Sequence, residues 1–419
     1  MHEGMSRRRF LDHAGRLLLG GVTATTLPGA VMGATTRAGA MAKTTEKAQG
    51  KGRGITLFLC GDVMTGRGID QILPHPSDPV LHEPYVTSAV DYVRLAEKVN
   101  GPIPRPVDFP YIWGDAMAEW ARIGPDLRIV NLETAVTTRD DWQRGKSIHY
   151  RMNPANLPCL TAARIDCCVL ANNHVLDWGY AGLAETMDTL HRARIQTTGA
   201  GRDAAEAAAP ALLTTAGKGR VLVFSFGMES SGIPLDWAAG AGLPGVNLLA
   251  DFSENTLGQV AAQVKGAKRQ GDIVIASIHW GSNWGYAVPA AHRTFAHGLI
   301  DRCGVDVVHG HSSHHPMGIE VYRDRPILYG CGDFLNDYEG IGGYEAYRGD
   351  LSLMYFLTLD PANGKLLRLS MSPMQIRRFQ LHRASGKDSS WLQEMLDREG
   401  KRLGSRVEVL PDGSLELYW

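Results

Sequence analysis

The chain has 419 residues, 44% of them hydrophobic and 21% charged, the proportions of a soluble globular protein with room for one large or two ordinary domains. Its formal net charge of -1 excludes the basic surplus of a nucleic-acid footprint, so nucleic acid is not an expected partner. No run past residue 40 is long and apolar enough to span a bilayer as a helix.

The N-terminus reads as an address. Ser6-Arg7-Arg8-Arg9-Phe10-Leu11 matches the twin-arginine export pattern, an apolar run follows from Leu17 to about Ala34, and Ala38-Gly39-Ala40 offers a small-residue cleavage site. Residues 1–40 are expected to be a twin-arginine signal peptide, with an uncleaved anchor as the alternative. The mature protein is then exported, and periplasmic or membrane-associated. Residues 41–53 read as a polar linker, 54–380 as the main domain and 381–419 as a C-terminal extension.

Within the domain, short apolar runs repeatedly lead into polar clusters. Leu57-Phe58-Leu59-Cys60 precedes Gly61-Asp62, and Leu127-Arg128-Ile129-Val130 precedes Asn131-Leu132-Glu133. Cys167-Cys168-Val169-Leu170 precedes Ala171-Asn172-Asn173-His174, Ile273–Ile278 precedes His279, and Val305–Val308 precedes His309-Gly310-His311 with His314 and His315. Apolar runs of this length are buried strands. Helical stretches are expected at Val86–Val99, Gly114–Ile123, Ala181–Ala193, Ser253–Lys268 and Ala290–Cys303. Alternating with strands, they predict an α/β fold with parallel strands, whose ligands bind beyond the carboxyl ends. Residues 73–115, rich in proline, read as a lobe inserted over the site.

After the last histidine cluster strands dominate: Gly318–Tyr322, Arg325–Gly330, Leu351–Leu359 and Leu366–Pro373, then a helix and a terminal hairpin from Asp388 to Trp419. Two dense strand runs around one site suggest two packed sheets flanked by helices. Of the six cysteines, Cys60, Cys167, Cys168 and Cys331 fall in or beside apolar strands, where free buried thiols are common; Cys159 and Cys303 stay open.

Five strand ends thus deliver Asp, Glu, Asn and His, the inventory of a metal site with mixed oxygen and nitrogen ligands. In order, Gly61–Arg67, Asn131-Leu132-Glu133, Ala171–Gly179, His279-Trp280-Gly281, Gly310–His315 and Ile327–Asp337 resemble the CapA family of bacterial capsule or poly-gamma-glutamate synthesis proteins. The resemblance runs from about Thr56 to about Pro373. That family is similar to the calcineurin-like metallophosphoesterases, which implies a four-layer α/β/β/α sandwich and a two-metal centre at the strand ends. Carried over, the metal ligands are Asp62, Glu133, Asn173, His279, His311 and His314, holding one or two divalent ions of Mn, Fe or Zn. Three departures bear on occupancy: Met64 stands where a histidine is expected, Glu133 replaces a bridging Asp, and an extra residue separates His311 from His314.

His174 follows the Asn ligand and is placed to protonate a leaving group, with Asp177 orienting it. Arg67 and Arg151 flank site loops and suit an anionic substrate, or else form structural ion pairs. The expected function is metal-dependent hydrolysis or transfer on an anionic polymer or a phosphoester, through metal-activated water. The second reading is a non-catalytic polymer-binding or assembly component, partnered with membrane-bound capsule synthase proteins. His309 is expected to pack, and Asp333, Asn336 and Asp337 are open between site and turn roles.

Overall fold

In the computed structural model, which describes residues 54–419, Ile55–Val63 forms strand β1. The expected export signal and linker lie outside the described residues. Leu57 and Leu59 enter one apolar core, and Phe58 and Cys60 enter another. A strand with period-two side chains must divide this way when both faces are covered. Strands β2 (Leu127–Leu132), β3 (Cys167–Val169) and β4 (Gln196–Thr198) continue this sheet in parallel, in the order β1-β2-β3-β4.

A second sheet is built from β5 (Ala211–Thr215), β6 (Gly219–Met228), β7 (Ile273–His279), β8 (Val307–His311), β9 (Ile319–Tyr322) and β10 (Arg325–Leu328). Its parallel order is β6-β7-β8-β10, while β5 and β9 pair antiparallel at the two sides. The chain then returns to the first sheet. Strand β11 (Leu351–Leu359) pairs antiparallel with β1, β12 (Leu366–Arg377) with β11, and a hairpin, β13 (Arg406–Val409) and β14 (Leu415–Tyr418), extends it.

Three cores follow from these faces. Leu57, Leu59 and Ile129 of the first sheet share one with Val221, Val223, Ile275 and Val307 of the second. On the other face of the first sheet, Phe58 and Val130 meet Val93 of α1 (Ala89–Asn100), Trp120 of α2 (Ala116–Ile123) and Leu183 and Met187 of α3 (Gly179–Arg192). Phe58 and Trp120 lie edge to face at 5.2 Å, and truncating either would cost about 3–5 kcal/mol. On the other face of the second sheet, Leu222, Phe224 and Val274 meet Val260 and Val264 of α4 (Glu254–Ala267) and Phe295 and Leu299 of α5 (Ala290–Cys303). Leu392, Met395 and Leu396 of α6 (Gly386–Gly400) join the core between the sheets.

Local chemistry sets the ends. The Ser253 and Ser385 side chains accept the first free amides of α4 and α6, and Gly124 and Gly304 end α2 and α5 in the left-handed conformation. The fold is a mixed α/β arrangement of sheets with flanking helices. Strand β12 runs past Pro373 to Arg377 because Met374–Arg377 gains a new antiparallel partner in Gln380–Arg383. All six cysteines are free and buried. Among the described residues no helix is long and apolar enough to cross a membrane.

Candidate metal centre

The carboxyl ends of β1, β2, β3, β7 and β8 meet. Asp62 on β1 stands in parallel register with Asp333 on one side and with Asn131 on the other. Gly61 makes the first contact possible: a Cβ there would lie 1.7 Å from the Gly332 carbonyl oxygen. His279 and His311 are register partners at the ends of β7 and β8, with their Nδ1 atoms 2.8 Å apart. The extra residue in the histidine pair is absorbed by backbone. Ser312 takes φ 97°, a left-handed conformation uncommon outside glycine, and the His314 Nδ1 comes 2.8 Å from Asp333 Oδ1.

Two groups of three result, Asp62 with His279 and His311, and Asp62 with His314 and Asp333; the donor atoms in each lie within 4.8 Å of one another. Glu133 Oε1 sits 3.6 Å from His174 Nε2 and 3.9 Å from His279 Nε2, and Asn173 Oδ1 is 3.2 Å from that same His279 nitrogen. All six residues expected as ligands therefore converge.

The electrostatics fit a cation. Burial, and then the neighbouring Asp333, push the Asp62 carboxyl up to about 7. Burial and Asp62 likewise raise Glu133 well above the usual carboxylate range. Burial drives His279 and His311 well down, so both are neutral and keep a lone pair for a metal. Burial also lowers His314, but Asp333 and Asp62 outweigh it and the net shift is upward. Asp62 Oδ2 and Glu133 Oε2 are buried with no hydrogen-bond partner. Orphaned buried carboxylate oxygens are costly, and a divalent ion satisfies them while relieving their mutual repulsion. Mixed imidazole and carboxylate donors suit Mn, Fe or Zn. The donor set therefore has the capacity to hold a divalent ion.

His174 lies beside this centre. Its Nδ1 is 2.7 Å from Asp177 Oδ2, and that oxygen also accepts the Tyr150 amide at 2.7 Å. Lys146 completes the arrangement, ion-paired to Asp177 Oδ1 and 2.9 Å from His174 Nδ1. With both Asp177 and Lys146 against Nδ1, the ring is fixed and its Nε2 turns to the centre. Burial and then Lys146 lower the His174 pKa well below its ordinary value.

Arg67 and Arg151 are both engaged by carboxylates of the chain. Arg67 is wholly buried, gripping Asp337 through two nitrogens at 3.1 and 2.5 Å, and Glu83 and Tyr92 at 2.9 Å each. Arg151 bonds Asp140 Oδ1 at 2.7 Å and lies over the Trp178 ring at 3.9 Å. Arg67 is held in a buried ion pair and Arg151 in one with the exposed Asp140, the structural role that the sequence left open beside anion binding. His309 packs as expected, bonded to Ser277 and to the Cys60 carbonyl. Trp280 and Trp178 are buried, and Trp284 stacks on Tyr344 at 3.9 Å.

Two contributors were not singled out by the sequence. Asp333 is open between site and turn roles by sequence alone, although its strand-like setting, Cys331-Gly332-Asp333-Phe334-Leu335, repeats the Cys60-Gly61-Asp62-Val63 pattern. Lys146 carries no such signal, because its partner Asp177 is reached only through the fold of residues 138–149.

Comparison with known proteins gives the chain's relatives. A probable polyglutamine synthesis accessory protein of Mycobacterium tuberculosis is 51% identical over 364 residues, covering 87% of this chain and 96% of its own length. The PGA biosynthesis protein CapA of Bacillus subtilis is 26% identical over 68% of this chain and 70% of its own. The capsule biosynthesis protein CapA of Bacillus anthracis is 22% identical over 68% of this chain and 60% of its own. Among solved structures, GAP50, the anchor in the inner membrane complex of Plasmodium, covers 80% of this chain and 89% of its own at 8% identity, but a TM-score of 0.32 is too low to define the fold. The pattern of the bacterial capsule synthesis protein PGA_cap matches residues 56–338, and the chain belongs to that family.

Proposed function

We propose that the protein is an exported, metal-dependent hydrolase or transferase of capsule or poly-gamma-glutamate biosynthesis, acting on an anionic polymer or phosphoester. Its fold in this reading is the four-layer sandwich of the calcineurin-like phosphoesterases. The observation that carries the proposal is Asp62, shared by two three-residue groups and left with an unpartnered buried oxygen. Asp62, His279 and His311 would hold one ion, with Glu133 and Asn173 beside them, and Asp62, His314 and Asp333 a second. When bound, such an ion polarises a phosphoryl or carbonyl oxygen and lowers the pKa of water from 15.7 towards about 7.

The remaining work falls to the chain. Asp177 and Lys146 fix the ring of His174, whose Nε2 faces the centre. Burial and the Lys146 charge keep that atom free of a proton in the resting site, so it would take one from the attacking water and pass it to the departing alkoxide or amine. Tyr150, edge-on to the His174 ring at 4.3 Å, helps keep water out.

A second reading, a polymer-binding or assembly component without turnover, draws on Met64 and on the internal commitment of Arg67 and Arg151. One experiment separates the two. Purified protein is assayed on a generic phosphodiester and on poly-gamma-glutamate, beside Asp62→Ala and His279→Ala. Metal-dependent cleavage lost in both variants supports the enzyme. Polymer binding with no cleavage under any divalent ion supports the assembly reading.

A further inference from the structure

The geometry points to Ser277 and His309 as positioning residues that fix His311 as its Nε2–H tautomer, so that its Nδ1 lone pair faces the metal centre. This inference rests on the metal reading of the site, although its first test does not.

The chain of donors begins at a group with no choice. The Cys60 carbonyl can only accept, and His309 Nε2 lies 2.8 Å away, so that nitrogen carries the proton. His309 is completely buried, and its bonding partners are a carbonyl and a hydroxyl, with no carboxylate to balance a charge. A buried uncompensated imidazolium is too costly, so the ring is neutral and its Nδ1 is a bare acceptor. Ser277 Oγ lies 3.0 Å from that Nδ1 and must donate to it. The hydroxyl has one proton, so towards His311 Nε2, 2.9 Å away, it can only accept. His311 therefore carries its proton on Nε2.

What remains is a bare Nδ1, 2.8 Å from His279 Nδ1 and 3.9 Å from Asp62 Oδ1. His279 donates from Nε2 to Asn173 Oδ1, as that amide is oriented, so its own Nδ1 is bare as well. Two lone pairs at this separation repel unless a cation lies against both. The relay starts at the carbonyl of Cys60, on β1, crosses to β8 through His309, reaches β7 at Ser277 and returns to β8 at His311. It ties the metal-facing atom of the second sheet to the backbone of the first. Outer partners of metal-binding histidines set ring orientation and ligand basicity in just this manner.

Two measurements test it. In protein labelled with ¹⁵N-histidine and freed of metal, two-bond ¹H–¹⁵N correlations should give His311 and His309 as Nε2–H tautomers, and Ser277→Ala should shift His311 to a mixture. A His311 protonated on Nδ1 in the metal-free wild type would overturn the relay. Zn²⁺ titration should show Ser277→Ala binding about 10–100-fold more weakly than wild type, with unchanged far-UV circular dichroism. Equal Zn²⁺ affinity in a folded Ser277→Ala would also overturn it. If the wild type takes up no Zn²⁺, the metal reading fails while the tautomer spectra still decide the relay.

Discussion

Asp62 and Asp333 stand side by side in parallel register, two buried carboxylates at the ends of adjacent strand segments. Burial and this neighbour lift Asp62 to about 7, far above its ordinary range. Between about pH 4 and pH 7 Asp62 therefore holds its proton in the folded, metal-free chain and loses it in the unfolded one, so its own contribution to stability falls as pH rises. Asp62→Asn removes that burden and keeps the acceptor for Asn131, 2.7 Å away. At pH 8 the metal-free variant should be more stable than wild type by about 1–3 kcal/mol. It should also lose the rise in melting temperature that divalent ions give the wild type. Thermal melts with and without Mn²⁺ check both.

Lys146 and Asp177 form an ion pair in which the carboxylate is fully buried. Lys146→Met strands that charge and should cost on the order of 2–4 kcal/mol, with chemical denaturation as the measure. If the proposed reaction holds, kcat should fall about 10²-fold as His174 loses its fixed orientation, with KM changed much less. A variant with unaltered kcat would remove Lys146 from the account.

Gly61→Ala places a methyl group against the Gly332 carbonyl. Because the contact is with backbone, the Asp333 segment must move away from β1. The expected cost is about 3 kcal/mol or more, read from the denaturant midpoint, together with weaker metal binding.

His292 lies between Phe252 at 4.8 Å and Trp280 at 4.7 Å, and burial lowers its pKa to about 4. The unfolded chain then binds the extra proton first, so stability is lost as pH falls from about 6.5 to about 4. His292→Phe preserves the aromatic contacts and removes the titration. Its unfolding free energy should vary less with pH across that window than wild type's, as a series of urea denaturation curves would reveal.

Much of the fold was legible because burial leaves a plain signal. The double-sided strands β1 and β7 read as apolar runs, and the helix expected at Ala290–Cys303 is α5 with the same bounds. The six expected ligands were legible because each follows such a run. Less was visible where long-range pairing decides. No local signal told Arg67's two open roles apart, because Asp337, which holds its guanidinium, comes from a loop far along the chain. The relay through Ser277 was invisible because a serine inside an apolar strand carries no mark of which histidines flank it in space.

The central claim is that these residues hold a divalent cation. Elemental analysis of the desalted protein, as purified and after incubation with Mn²⁺, Fe²⁺ or Zn²⁺, tests it most directly. One or two equivalents should be retained by the wild type, matching its two ligand groups, and lost in Asp62→Ala. Wild-type protein that retains no divalent metal under any of these conditions would contradict the account.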